Sequence, residues 1–149
     1  MATQLVELER AECLGLLREH QVGRIAVTID RQPHIVPVTY AADADGNVVF
    51  RTGADTVLTK VDLARVAFEI DGIDEHARSG WSVCIHGFGR EITDVHEATA
   101  VHLRAMLPSS WAPGPRPRWF AVYTGEVTGR RLQAPPHDDS PWFPGIPWS

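Results

Sequence analysis

Apolar and polar residues alternate with a period of two through most of the chain, and this pattern predicts strands. Ile25, Val27 and Ile29 alternate with Arg24, Ala26 and Thr28 from Gly23 onward. Asp30-Arg31-Gln32-Pro33 then supplies turn residues, so a first hairpin is expected. In the second strand, His34 to Tyr40, the side chains of Ile35, Pro37 and Thr39 share one face and those of Val36, Val38 and Tyr40 the other. Pro37 lacks an N–H, so it marks an edge, a bulge, or a point where the backbone faces something other than a neighbouring strand. After the turn Ala42–Asn47, Val48, Phe50 and Thr52 alternate in a third strand. Val66, Phe68 and Ile70 define a fourth, Trp81 to Gly89 a fifth and Trp119 to Val127 a sixth. Gly87 and Gly89 mark a bend or the close crossing of another segment.

Three stretches depart from this period. Leu5 to His20 has apolar residues three to five apart, Leu5, Leu8, Cys13, Leu16 and Leu17, and predicts a helix that covers one end of the strands. A short helix is expected from Thr56 to Ala64, and another from Thr93 through Met106, stopped by Pro108. Six strands, an inserted helix and two flanking helices suit a closed or nearly closed antiparallel barrel. Parallel crossovers would need more helix between successive strands.

The chain's 149 residues suit one domain, here 1–132. Residues 133–149 read as an arm rich in Pro and Trp, whose Trp142, Phe143 and Trp148 carry enough apolar area to pack across this barrel or a partner's. The formal charge of -5 argues against a protein that wraps nucleic acid, because that affinity comes from many cations. A phosphate-bearing small molecule needs only a local positive patch. The N-terminus has neither a basic leader nor a membrane-length apolar run, so a cytoplasmic protein is expected. Cys13 and Cys84 sit among apolar residues and are expected as buried thiols.

The candidate chemistry lies between the third strand and the short helix, where Arg51-Thr52-Gly53-Ala54-Asp55-Thr56 joins a strand end, free amides and a guanidinium. A guanidinium is a rigid fork of donors suited to phosphoryl oxygens. Thr56 serves as a helix cap and a phosphate ligand alike, since the same orphan amides meet either partner. His34, His86 and His102 lie in different elements with no metal spacing, so no metal is expected. There is no Ser-His-Asp set or nucleophile elbow either, and no catalytic residue is assigned. Asp71, Asp74 and Glu75 are expected in a solvated loop after the fourth strand. Arg116, Arg118, Arg130 and Arg131 are interspersed with prolines or lie in an otherwise acidic chain, and fit the edge of a ligand groove or of a dimer better than a nucleic-acid surface.

The order of several phrases resembles the FMN-binding split-barrel superfamily, the pyridoxamine 5'-phosphate oxidase-like flavoproteins, and within it the nitroimidazole-reductase-like proteins. The phrases are Val22-Gly23-Arg24, Pro37-Val38, Phe50-Arg51-Thr52, Val66 to Asp71, Gly80-Trp81-Ser82-Val83, Gly87-Phe88-Gly89, Trp111 to Gly114 and Thr128-Gly129-Arg130-Arg131. The resemblance implies a six-stranded antiparallel split β-barrel, mainly β with flanking helices, paired as a homodimer with FMN in a groove at the interface. It implies that Pro37, Val38 and Thr39 run along the ring, that Arg51 and Thr52 reach ring, ribityl or phosphate atoms, and that Thr56 holds phosphate. Trp81 and Ser82 would enter from a neighbouring strand. Relatives place a lysine after the residue that opens the short helix, and a glycine before it. Here those positions are Val57 and Asp55, and Lys60, one turn on, is the cation expected to reach back.

The activity implied is an FMN-dependent oxidoreductase that moves hydride or electrons from a reduced nicotinamide to a small planar acceptor. The alternatives are a reductase using a deazaflavin directly, and a barrel dimer that binds flavin or haem without turnover or has no cofactor. The physiological substrate is not legible in these residues.

Overall fold

The computed structural model describes residues 3–54, 56–93, 98–107 and 114–133. The chain is mainly β, with flanking helices and a seven-stranded sheet whose ladders are all antiparallel. The strands are β1 (Gln4–Glu7), β2 (Val22–Ile29), β3 (Gln32–Ala42), β4 (Val48–Thr52), β5 (Arg65–Asp74), β6 (Ser79–Glu91) and β7 (Arg118–Gln133). Their order is β1-β7-β4-β3-β2-β5-β6, and β6 also pairs with β7, so the ladder returns on itself. No helix among the described residues is long and apolar enough to cross a membrane.

The β2–β3 hairpin turns on Asp30 and Arg31, both at positive φ, between the paired residues Ile29 and Gln32. A two-residue loop of this kind matches the twist of the strands it joins. At the next turn Asp43 accepts hydrogen bonds at Oδ1 from the amides of Asp45 and Asn47, and Gly46 takes φ 84°. This side chain takes the place of absent ladder partners.

The inward faces of the strands make one core of Ile25, Val27, Val38, Tyr40, Phe50, Phe68, Ile70, Val83, Ile85 and Phe120, among others. Helix α1 (Arg10–Glu19) closes one end with Cys13 and Leu17, and Tyr40 Oη donates to the Leu17 carbonyl at 2.7 Å. The expected lid is present but shorter than the sequence suggests. Leu5 belongs to β1, which pairs with the end of β7 from Gln4↔Gln133 to Glu7↔Arg130. Leu5 is 61% exposed there, so its spacing to Leu8 records no helical face.

Three other expectations are corrected. β7 runs six residues beyond Val127, because its second half pairs with both β1 and β6. Asp71 and Asp74 lie inside β5 and not in a loop after it. Cys84 is half-buried on the outer face of β6, opposite Glu69, whereas Cys13 is buried as expected.

The segment expected as a helix from Thr56 to Ala64 is a five-residue 3-10 helix, Val57–Val61. The chain then crosses β6 at Gly89, whose amide donates to the Ala64 carbonyl at 2.8 Å and whose carbonyl accepts from Leu63 at 2.9 Å. A Cβ at Gly89 would collide with the Val61 carbonyl oxygen, and one at Gly87 would stand 2.6 Å from the Tyr123 oxygen. The ladder shifts register between His86 and Gly87. The two glycines thus mark a bulge and a close backbone crossing, which fixes the 3-10 helix beside the end of β4. Helix α2 (Ala98–Met106) follows β6. Leu107, just beyond it, packs with Trp119 on a smaller outer cluster of Ala41, Val49, Ile92 and Ala121. Residues 94–97, where this helix is expected to begin, the Pro108 stop, and the 134–149 part of the C-terminal arm lie outside the described residues.

Candidate functional site

A groove of about 560 Å³ opens between the end of β2, the middle of β3, the end of β4 and the 3-10 helix. Its existence follows from the ladders. β3 has β2 beside it from Gln32 to Thr39, but β4 beside it only from Tyr40 to Ala42. Residues 36 to 39 therefore have no strand across from them on the β4 side, and Pro37 falls in this stretch. A missing N–H costs least where no ladder asks for one.

The lining divides by chemistry. Val22, Val36, Val38, Val57, Leu58 and Leu107 make it largely apolar. Arg51, Thr52, Thr56 and Arg116 add cations and hydroxyls. Thr52 is buried, and its Oγ1 lies 2.6 Å from Thr56 Oγ1 in a hydrogen bond. Thr56 therefore caps nothing with its side chain. Arg51 Nε donates to the Arg116 carbonyl at 2.9 Å, and its guanidinium stacks on Trp119, the residue opposite it in β7. Among the described residues no carboxylate is paired with Arg51, so its Nη groups are available to an anion.

Of the residues expected from sequence, Pro37, Val38, Thr39, Arg51, Thr52 and Thr56 meet on this groove. Lys60, Trp81 and Ser82 are not among its lining. Lys60 is exposed near the end of the 3-10 helix. Trp81 leans over Gly72 on β5 and contacts the His20 ring at 4.8 Å, and Ser82 sits between Asp71 and Arg130 in the β5–β6–β7 ladders. Asp55 lies outside the described residues. Val57, at the position where the resemblance implies a lysine, itself lines the groove. The cation that accompanies Arg51 is Arg116, 65 residues later, and only its place among prolines near the last strand hints at it. Arg118 is instead held by Glu91, and Arg131 by Glu12 at 3.6 Å.

The perturbed titrating groups lie elsewhere. On the outer face Arg24 Nη1 donates to Glu69 at 3.0 Å and to Asp71 at 2.9 Å. Partial burial, and then the neighbouring Asp71 carboxyl, push Glu69 up from its ordinary value despite Arg24. Burial also raises the Cys84 thiol, with the Glu69 and Glu126 charges adding to it. The groove lining holds no Asp, Glu, His or Cys among the described residues. What it offers is an apolar slot with cations and hydroxyls, suited to holding and orienting a flat molecule with a phosphate.

The chain is similar to several known proteins. A protein of Mycobacterium tuberculosis with no assigned activity is 33% identical over 142 residues, 89% of each chain. The solved FAD-binding protein of Mycobacterium smegmatis is 30% identical, with a TM-score of 0.66 over 87% of this chain and all of that one. An FAD-binding protein of Mesorhizobium loti, 23% identical, shares the fold with a TM-score of 0.70 over 89% of this chain and all of its own. Residues 9–131 match the family model described as pyridoxamine 5'-phosphate oxidase, and the chain belongs to that family within the FMN-binding split-barrel superfamily.

Proposed function

We propose that the chain is a flavin-dependent oxidoreductase whose groove holds the FMN portion of its cofactor. The carrying observation is the meeting, in one groove, of an apolar lining with Arg51, Arg116 and the Thr52–Thr56 hydroxyl pair. A flavin mononucleotide has the same division, a planar ring at one end and a phosphate at the other. The volume lies within the roughly 300–1,000 Å³ usual for small-molecule sites. The FAD-binding relative at 30% identity supports the choice of flavin.

When bound, the flavin supplies the hydride and electron transfer between a reduced nicotinamide and a small planar acceptor. The protein's part is binding and orientation. Val22, Val36, Val38, Val57, Leu58 and Leu107 exclude water from the ring. The backbone of Pro37, Val38 and Thr39, with no strand opposite, offers polar groups along the ring edge. Arg51 and Arg116 neutralise the phosphate while Thr52 and Thr56 donate to it. Lys60 adds long-range attraction from the exposed side of the 3-10 helix. Trp81 and Ser82, off the groove of their own chain, complete the rim from the second copy of a homodimer.

Titrating the purified chain with FMN, following flavin fluorescence, tests this reading. Saturable uptake is expected. Arg51→Ala should weaken it by about tenfold or more, as loss of one charge-assisted contact to phosphate requires. A chain that takes up no flavin, or an Arg51→Ala variant of unchanged affinity, would overturn the assignment.

A further inference from the structure

We propose that residues 134–149 dock on an apolar row across the outer face of the chain's own sheet and strap β1 to β7, β6 and β5. Register sets the row. Leu5 on β1 stands opposite Leu132 on β7, Leu132 opposite Gly80 on β6, and Gly80 opposite Ile73 on β5. Directly opposed residues of neighbouring strands share a face. Ile70 and Val83 point into the core, so Ile73 and Gly80, three residues from each, point out. Gly80 has no side chain to part its neighbours, and Ile73 leans across it: a Cβ at Gly80 would stand 3.4 Å from Ile73 Cγ1. Leu5 is 61% exposed, Leu132 40% and Ile73 70%. Exposed apolar residues scattered singly are ordinary, but three in one continuous row call for a cover. β1 needs one most, since all four of its residues are exposed and its ladder among the described residues is with β7 alone.

The segment that follows β7 is placed to supply that cover. β7 ends at Gln133, one residue past Leu132, so the segment starts beside the row. Residues 134–149 carry Trp142, Phe143, Ile146 and Trp148, enough apolar area to bury it. Pro135, Pro136, Pro141, Pro144 and Pro147 remove amides that a further strand would need, so attachment comes through side chains and not through another ladder. Ile73 is two strand spacings from Leu132, about 10 Å, and Leu5 is one. The stretch from Gln133 to Trp142 covers about 28 Å in the extended form that prolines favour. Tethering also presents these side chains to the row at an effective concentration on the order of millimolar, which favours the chain's own segment over that of a second copy. Charge agrees. Arg130, two residues before Leu132 on the same face, is exposed and stands opposite Glu7 without forming an ion pair among the described residues, and Asp138 and Asp139 precede Trp142. This docking is independent of the flavin reading.

The test places photoreactive p-benzoyl-phenylalanine at Ile73 of the full chain and, in a second protein, at Leu132. Irradiation is expected to join each position to residues 134–149 in a product of single-chain mass, mapped by peptide mass spectrometry. Trp142→Ser combined with Phe143→Ser should lose most of that product, with circular dichroism verifying that the variant is folded. The same probe at Leu63, an exposed residue off the row, should give little of it. Capture of residues 134–149 in a product of doubled mass would assign the row to a second copy and overturn the proposal. Failure to capture these residues, equal capture from Leu63, or capture unaffected by the double substitution would overturn it too.

Discussion

Thr52 Oγ1 and Thr56 Oγ1 meet at 2.6 Å, tying the end of β4 to the residue that precedes the 3-10 helix. Only one of the two hydroxyls donates in this bond, so the pair leaves one proton for a further acceptor, and both residues line the groove. Thr52→Val, nearly isosteric at a buried site, should weaken flavin binding several-fold and cost about 1 kcal/mol of stability. Thr56→Ser keeps the hydroxyl and should bind as the parent does. Flavin titration together with urea denaturation separates the two effects. An unchanged Thr52→Val affinity would remove this pair from the site.

The crossing at Gly89 has no slack. A Cβ there meets the Val61 backbone, which cannot rotate away, so Gly89→Ala should destabilise by about 1–3 kcal/mol and loosen the 3-10 helix that borders the groove. Gly15 is the control. It lies in α1, where an added Cβ would meet nothing within 4 Å, and Gly15→Ala should stabilise by about 0.5–1 kcal/mol. Denaturant midpoints of the two variants should move in opposite directions.

Much of this was legible in the sequence because it depends on local period. Ile25, Val27, Val66, Phe68 and Ile70 declared which face of β2 and β5 is inward, and Gly87 and Gly89 announced a crossing. The order of short phrases named the superfamily, and six of the expected groove residues meet. Non-local pairing was less visible. Gln4 to Glu7 forms a strand only because the end of β7 lies beside it, and four residues beginning next to an exposed leucine carry no sign of that. Arg116 joins Arg51 through a backbone contact across 65 positions, and Val57 lines the groove at the position where the resemblance implies a lysine. Trp81 read equally well as core or ring-stacking residue, and within the chain it packs, partly buried, against the main core and touches Gly72 and His20.

Glu69 gives a pH signature independent of cofactor. Its folded-state proton affinity is raised, first by desolvation and then by Asp71, from an ordinary value of 4.5. Between that value and the raised one the folded state binds more proton than the unfolded state, so stability falls as pH rises through this window. Glu69→Gln removes the titrating group and should flatten that part of the curve. Thermal melts of both proteins from about pH 4 to 7 check the sign. A parallel pair of curves would show that Glu69 is not the group responsible.

Tyr40 supplies the opposite end of the pH range. Burial raises its phenol above the ordinary 10, and its Oη holds the Leu17 carbonyl at the end of α1. Below about pH 10 the group is neutral in both states and contributes no pH dependence. Above it the unfolded chain loses the proton while the folded chain keeps it, so stability falls as pH rises. Tyr40→Phe should cost about 1–2 kcal/mol near neutrality, since it strands a buried carbonyl, yet be less sensitive than the parent above about pH 10. Denaturant titrations at about pH 7 and about pH 10.5 should therefore bring the two proteins closer together at the higher pH. A gap that widens instead would show that α1 is not held through this hydroxyl.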